Sequence, residues 1–304
     1  MQISYRHHGN HLVFERNEDE IRLLGLFTEA IWPREDLRSG SILHMQLTGE
    51  VQPLQAGARR ICSLPGQRMV FVSMVEDQRY HGKLIVIILK DPVTKVLAEV
   101  NYLLCAQSPT VRTWVRVRND STASVGLESV YSIMLHNVAT GGLGAWHEKT
   151  YIHLWHDQLY GKGRWRRLRL GLEELGFAHV SPGFSRTGQT SSPSECSQTT
   201  LPMGMLEDVE TKTVWYWQIE NSGSWHWEIG EDDHSKLYLL AGDLDSLHHG
   251  YRKELRPGES YHSVPVALGC VQGGGQEALA ALTCHYRNLM RRTVTDPYCS
   301  VALY

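Results

Sequence analysis

The residues of this chain that could do chemistry are its histidines, its paired carboxylates and a short basic run. Closely spaced histidines occur at His7/His8, His153/His156 and His248/His249. A spacing of three places His153 and His156 on opposite faces of a strand, and no cysteine or carboxylate pattern completes a tetrahedral set of metal ligands. We interpret these residues as scattered surface and sheet histidines, and we predict neither a metal site nor a bound cofactor.

Hydrolysis of a glycosidic bond needs two carboxylates that face each other across that bond. The local acidic pairs are Glu207/Asp208, Asp232/Asp233 and Asp243/Asp245. They lie near turns, so we interpret them as solvated carboxylates, although a pair assembled from distant strands is left open. The chain also lacks a G-x-S-x-G motif, and no cysteine has a plausible local partner. The sequence therefore predicts no catalytic residue.

The basic run alternates with apolar residues and comprises Arg164, Arg166, Arg167 and Arg169. Because the net charge of the chain is -3, we interpret the run as a solvated or salt-bridged strand and expect no nucleic-acid partner.

The composition is that of a globular protein, with 304 residues, a hydrophobic fraction of 42% and a charged fraction of 21%. The N-terminus lacks the apolar run of a signal peptide, and no apolar stretch reaches about 18 residues, so we expect no membrane partner. The six cysteines are scattered without a C-x-x-C motif. This usage favours reduced thiols and a cytoplasmic location.

Most of the chain has the two-residue period of strands that must position any site. The pattern predicts a hairpin from residues 12–14 and 21–24, a central strand over residues 83–89, and strands over 96–104, 111–118 and 126–135. A Ser-, Thr-, Gly- and Pro-rich segment over residues 181–200 predicts a long loop. One helix is predicted over residues 276–292, where Leu279, Leu282, Tyr286 and Leu289 have 3-4-3 spacing. A dozen or more strands with one C-terminal helix predict a large all-β sandwich of two antiparallel sheets.

The most distinctive stretch is residues 201–230, which read LPMGMLEDVETKTVWYWQIENSGSWHWEIG. We predict a hairpin whose turn is Asn221-Ser222-Gly223, with Trp215 and Trp217 on one strand and Trp225 and Trp227 on the other. Periodicity favours these rings as core between two sheets, and the alternative is a stacking platform for sugar rings. His226 and Glu228 point the other way, toward a polar surface or a domain interface.

The motifs LPMGMLED, WYWQIENSGSWHWEI, LRPGESYHSVPVALG and GGGQEALAALTCHYRNLMRR, with LTGEVQPLQAGARR and RTWVRVRNDSTASVGLESVYSIML upstream, resemble the N-terminal domain of glycoside hydrolase family 36, the α-galactosidases. The resemblance implies a β-supersandwich of the galactose mutarotase-like type over residues 1–272. Residues 273–304 would then be a helix and a linker toward a (β/α)8 barrel.

Members of that family hydrolyse terminal α-galactosyl groups of oligosaccharides such as melibiose and raffinose, with retention, through two aspartates of the barrel. No position of this chain matches either aspartate, so the resemblance implies a non-catalytic domain, inactive alone, that supports barrel packing and homo-oligomerisation. Whether the chain is itself an enzyme is left open. The segment after Arg292 departs from the family pattern, which suggests a truncated reading frame, a fragment or an isolated domain.

In several family members, sandwich loops reach a neighbouring subunit's active site. The loop from Trp32 to His44 is the candidate here. This loop supplies Trp32 and His44 as sugar or interface candidates, and the outward-facing His226 and Glu228 are the other two. The rival interpretations are a stand-alone carbohydrate-binding or regulatory module, and a non-functional truncated product.

Overall fold

The computed structural model describes residues 1–31, 37–50, 63–158, 161–171, 173–177, 185–191, 200–232 and 234–290. Over these residues the strands are β1 (Gln2–His7), β2 (Asn10–Arg16), β3 (Ile21–Thr28), β4 (Gly40–Ser41), β5 (Met45–Leu47), β6 (Val70–Arg79), β7 (Gly82–Lys90), β8 (Val96–Cys105), β9 (Val111–Asn119), β10 (Val125–Val138), β11 (Thr150–Gln158), β12 (Gly161–Arg169), β13 (Arg186–Thr190), β14 (Met203–Asp208), β15 (Thr213–Ile219), β16 (His226–Glu231), β17 (Leu237–Asp245), β18 (Lys253–Leu255), β19 (Ser260–His262) and β20 (Val266–Gln272). The helices are α1 (Leu64–Arg68), α2 (Trp146–Lys149), α3 (Ser246–His249) and α4 (Gly275–His285). A 3₁₀ turn spans Glu29–Ile31, and a π-helical turn spans Tyr286–Met290.

The described strands form three antiparallel sheets, and the predicted all-β sandwich is confirmed. The largest sheet has ten strands in the order β12-β11-β14-β15-β20-β9-β8-β7-β6, with β19 beside β9. The second has six strands in the order β13-β16-β17-β10-β18, with β5 beside β10. Strands β1-β2-β3-β4 form a third, small sheet of four strands. The sequence pattern predicted only two sheets and did not distinguish this one.

Strict alternation of residue types builds the large sheet as expected. Strand β9 alternates buried and half-buried residues along its whole length, because Val111, Val115 and Val117 face the core while arginines face outward. The hairpin predicted at residues 12–24 forms as β2 and β3. A turn whose two central residues are Pro257 and Gly258 also forms, since the Glu259 amide donates to the Arg256 carbonyl at 2.9 Å and Gly258 adopts φ 81°.

The predicted tryptophan hairpin is wrong, because its two strands belong to different sheets. Strand β15 pairs with β14 and β20 in the large sheet, whereas β16 pairs with β13 and β17 in the six-stranded sheet. Both hydrogen-bonding edges of β15 are thus occupied, and the chain crosses from one sheet to the other between Ile219 and His226. This connection is an arch over the core.

The core interpretation of the four tryptophans is confirmed. Trp215, Trp217, Trp225 and Trp227 are each at most 1% exposed. Rings from the two sheets meet directly, since the Trp217 and Trp227 centroids lie 5.0 Å apart in an edge-to-face arrangement. The small sheet closes one part of the same core, where the Trp215 indole Nε1 donates to the Leu26 carbonyl at 2.9 Å.

Two other predictions change in extent. The predicted loop over residues 181–200 contains strand β13, which pairs with β16. The predicted helix is α4 continued by the π-helical turn, and its last residues, 291 and 292, lie outside the described residues. Within the described chain, no helix has the length and apolarity needed to cross a membrane.

Helix α4 is fixed to the outer face of the large sheet. Its residues Ala278, Ala281 and Leu282 are buried against Tyr216 and Met205. At its last turn, Nε2 of His285 lies 2.7 Å from Oε1 of Glu220, whose other oxygen accepts from Arg112. The helix and the sheet therefore form one packed unit.

Candidate functional site

A buried polar cluster lies on the outer face of the six-stranded sheet. Strand β16 turns Trp227 and Ile229 into the core, so the alternation places His226 and Glu228 on the opposite face. Both are nevertheless buried, at 3% and 5% exposure. We call His226 together with Tyr131, Asp245 and His248 the outer-face cluster.

Asp245 is the centre of the outer-face cluster. It ends β17 and caps α3, where its carboxylate accepts from the His248 amide at 2.6 Å. The same carboxylate lies 2.7 Å from Nδ1 of His248 and accepts from the Tyr131 hydroxyl. Burial alone would raise the pKa of Asp245, but hydrogen bonds from His248, His249 and Tyr131 hold that pKa well below its usual range. The carboxylate is therefore ionised, and Nδ1 of His248 donates to it.

His226, Asp245 and His248 bring one possible metal-ligand atom each within 4.8 Å of one another. However, the imidazole rings of His226 and His248 stack, with centroids 4.0 Å apart and planes 17° apart. An imidazole nitrogen offers its lone pair in the plane of its ring, so two stacked rings do not aim at one ion. The Asp245 carboxylate is also already occupied by hydrogen bonds. The arrangement is that of an oriented imidazole beside a carboxylate rather than a tetrahedral cation site.

The residues predicted as sugar or interface candidates separate into different positions. His44 is 3% exposed, and the centroid of its ring lies 5.2 Å from that of the Tyr131 ring. The centroid of the His226 ring lies 6.1 Å from that of the same Tyr131 ring. Glu228 accepts from the Tyr238 hydroxyl at 2.6 Å beside the cluster. Trp32 lies outside the described residues. The structure thus brings His44 and His226 together through Tyr131.

Sequence reasoning missed Asp245 and His248 as partners of His226. Asp245 had been interpreted as a solvated turn carboxylate, yet it is 3% exposed. A signal was available, since Asp is one of the preferred N-cap residues and Asp245 directly precedes helix α3.

A second arrangement of aromatic and charged residues lies on the outer face of the large sheet, at strands β11 and β12. Trp155 and Trp165 are register partners whose rings stack with centroids 5.9 Å apart and planes 10° apart. The indole Nε1 of Trp165 donates to Nδ1 of His153 at 3.0 Å, and Nε2 of His153 lies 2.9 Å from Glu207. Arg167 donates to the same Glu207 oxygen at 2.8 Å. We call these five residues the tryptophan shelf.

A polar cleft of about 570 Å³ lies beside the small sheet. The part of the predicted contact loop that is described, from Leu37 to Ile42, lines it together with Glu15, Arg22 and His136. His136 is 4% exposed, and its Nε2 donates to the Ser41 carbonyl at 3.0 Å. Gly40 is required here, because a Cβ at that position would lie 2.1 Å from the His136 ring.

Comparison with known proteins gives a likeness of fold. No protein-family model and no curated protein matches this chain. Among solved structures, the α-galactosidase of Lactobacillus brevis superposes with a TM-score of 0.69 at 13% identity, over 94% of this chain and 42% of that one. The family 36 α-galactosidase AgaB of Geobacillus stearothermophilus gives 0.69 at 11% identity, over the same shares. The galactosidase domain of the α-galactosidase-sucrose kinase AgaSK gives 0.66 at 15% identity, over 90% of this chain and 41% of that one.

The chain therefore spans about 42% of the length of the α-galactosidases it matches, and the resemblance seen in its sequence is confirmed as a shared fold.

Proposed function

We propose that this chain is the N-terminal, non-catalytic β-sandwich domain of a family 36 type α-galactosidase. The observation that supports the proposal is the superposition of nine-tenths or more of the chain on part of those enzymes, with TM-scores of 0.69 for two of them. The sequence motifs that resemble the same family supply independent support. In this proposal residues 1–272 are the sandwich, and residues 273–304 lead toward a catalytic barrel.

The role of the domain is structural support. Helix α4 is locked onto the large sheet by buried alanines and by the His285–Glu220 contact, so it offers a rigid connection to a following unit. We propose that the sandwich packs against the barrel and assists homo-oligomerisation in the cytoplasm. The substrates of the complete enzyme would be α-galactosyl oligosaccharides such as melibiose and raffinose.

The constellations in the described residues agree with a non-catalytic role. A retaining glycosidase holds two carboxyl groups about 5–5.5 Å apart on either side of the scissile bond. In the outer-face cluster, Asp245 is hydrogen-bonded to His248 and Tyr131, and beside the cluster Glu228 accepts from Tyr238. Each carboxylate is thus engaged with its own donors, as expected of groups that organise structure.

A hydrolysis assay tests this proposal. The purified chain is incubated with a chromogenic α-galactoside and with raffinose, beside a complete family 36 α-galactosidase as the positive control. We expect no turnover above the uncatalysed rate. Turnover that co-purifies with the chain and is abolished in Asp245→Asn would show that the chain carries its own active site.

A further inference from the structure

We propose that the tryptophan shelf is a carbohydrate-binding site, which takes the galactosyl end of a neutral oligosaccharide against Trp165. The inference rests on the proposed function only for the choice of sugar. It goes beyond that function because it assigns this domain a binding surface of its own, away from the four core tryptophans.

Exposure separates Trp165 from the other tryptophans that the structure describes. Its exposed fraction is 49%, whereas the four in the core are at most 1% exposed. An indole offers a wide, stiff apolar face, and about half of the Trp165 ring is open to a ligand. The shelf lies at β11 and the edge strand β12 of the large sheet, beside the start of α4, where a Cβ on Gly275 would lie 3.6 Å from the Trp165 ring.

The ring of Trp165 is held in one orientation although it is half exposed. Trp155 stacks on the Trp165 ring, and Nε1 of Trp165 donates to Nδ1 of His153. Because Nδ1 accepts, Nε2 of His153 carries the hydrogen and donates to Glu207. Burial lowers the pKa of His153 even beside that carboxylate, which agrees with a neutral ring. A side chain fixed before binding loses little entropy when a ligand arrives, so this chain of hydrogen bonds prepares Trp165 as a platform.

The charges around the ring indicate a neutral, hydroxyl-bearing ligand. Arg167 is 42% exposed at its side chain and is neutralised by Glu207, while its guanidinium also lies 3.7 Å from the Tyr151 ring centroid. The rim therefore offers both a donor and an acceptor, and the Arg167–Glu207 pair carries no net charge that would select an anion or a cation. Sugars fit this pattern, since their rings combine apolar C–H faces with hydroxyls that donate and accept.

The ring geometry of galactose favours it over glucose on such a platform. Its axial O4 leaves the hydrogens of C3, C4 and C5 together on one face, which is the apolar patch an indole can cover. Raffinose ends in an α-galactosyl group and sucrose is the same molecule without it, so the two sugars form a matched pair of probes.

The experiment follows the nine indole N–H signals of the full ¹⁵N-labelled chain during titration with raffinose. Trp165→Phe assigns the Trp165 signal. We expect that signal to move with a saturable, millimolar dependence, and the signals of the core tryptophans to stay in place. Sucrose at the same concentrations should leave the Trp165 signal unchanged.

Calorimetry on variants gives the second readout. Trp165→Ala should weaken raffinose binding by about tenfold or more. Tyr80→Ala is the matched control, since it removes a 93% exposed aromatic ring near the opposite edge of the large sheet and should leave binding unchanged.

Three results would overturn the site: a Trp165 signal that does not move, raffinose binding that survives Trp165→Ala, or raffinose and sucrose shifting the signal alike. A sedimentation coefficient that falls in Trp165→Ala, with no response to raffinose, would mean that a second copy of the chain covers the shelf, and it would overturn the proposal as well. None of these results touches the proposed non-catalytic role, which the hydrolysis assay decides separately.

Discussion

The indole rings of Trp217 and Trp227 meet edge to face across the space between the two large sheets, with centroids 5.0 Å apart. They lie ten residues apart along the chain, yet their strands hydrogen-bond to different neighbours. The stretch that marks the chain most clearly in sequence is therefore a joint between sheets, and its four tryptophans are buried.

The first prediction concerns this joint. Replacing Trp227 with Ala should lower the free energy of unfolding by about 3–5 kcal/mol, because the substitution removes a fully buried ring and leaves a cavity. Tyr80→Ala is the matched control and should cost no more than about 1 kcal/mol, since the Tyr80 ring is 93% exposed. Urea denaturation measures both, and equal losses in the two variants would contradict the burial assigned to Trp227.

The second prediction concerns the pH dependence that comes from His136. Burial lowers the pKa of His136 from 6.5 to about 4, against the opposing hydrogen bond to Ser41. Well above pH 6.5 the His136 ring is neutral in both the folded and the unfolded chain. Between pH 6.5 and 4 the unfolded chain takes up a proton that the folded chain does not, so stability falls as the pH falls, by up to about 3 kcal/mol.

The variant His136→Gln isolates this contribution. The stability advantage of the wild type over the variant should shrink as the pH is lowered from 7 to 4, as measured by urea denaturation at each pH. An advantage that is constant with pH would show that His136 titrates normally in the folded state.

The third prediction concerns a buried cation. Nζ of Lys149 lies 2.9 Å from both Asp208 and Glu210, and the Asp208 side chain is fully buried. Lys149→Met would leave Asp208 as an uncompensated charge, so we expect a loss of about 3–5 kcal/mol in the free energy of unfolding. The double variant Lys149→Met with Asp208→Asn should recover part of that loss, and a double variant as unstable as the sum of the two singles would contradict the pairing.

The fourth prediction concerns the outer-face cluster. A cation bound to the folded state at a hundred times its dissociation constant would stabilise the protein by about 2.7 kcal/mol. Because the rings of His226 and His248 stack, we expect Zn²⁺ to leave the unfolding temperature unchanged in calorimetry. A rise that disappears in His226→Ala would show that the three residues rearrange around an ion.

Local residue patterns predicted most of the individual strands of this fold. They could not predict which distant strands pair with each other. Strands such as β8 and β9 follow from alternation that one buried face imposes. The same alternation is compatible with a hairpin or with an arch, because Trp217 and Trp227 face a core in both. Only the pairing of Trp217 with Leu268 decides between them, and that contact joins residues far apart in sequence.

The candidate sites were harder to predict because burial and partners decide them. Asp245 reads as a turn carboxylate until Tyr131 and His248 enclose it. Trp165 reads as one aromatic residue in a basic strand until β11 places Trp155 and His153 beside it. The sequence favoured core packing for Trp215, Trp217, Trp225 and Trp227 and left a sugar platform as the alternative, whereas the exposed indole of Trp165 lies elsewhere.

The four buried tryptophans form a joint between sheets, and this joint distinguishes a supporting sandwich from a sugar-binding hairpin at this stretch. The most direct measurement is a set of backbone nuclear Overhauser contacts on the deuterated chain. We predict contacts of Trp217 with Leu268 and of Trp227 with Ala241, which are register partners in the two sheets. Cross-strand contacts between residues 214–219 and 225–229 would instead show a hairpin and would contradict the account.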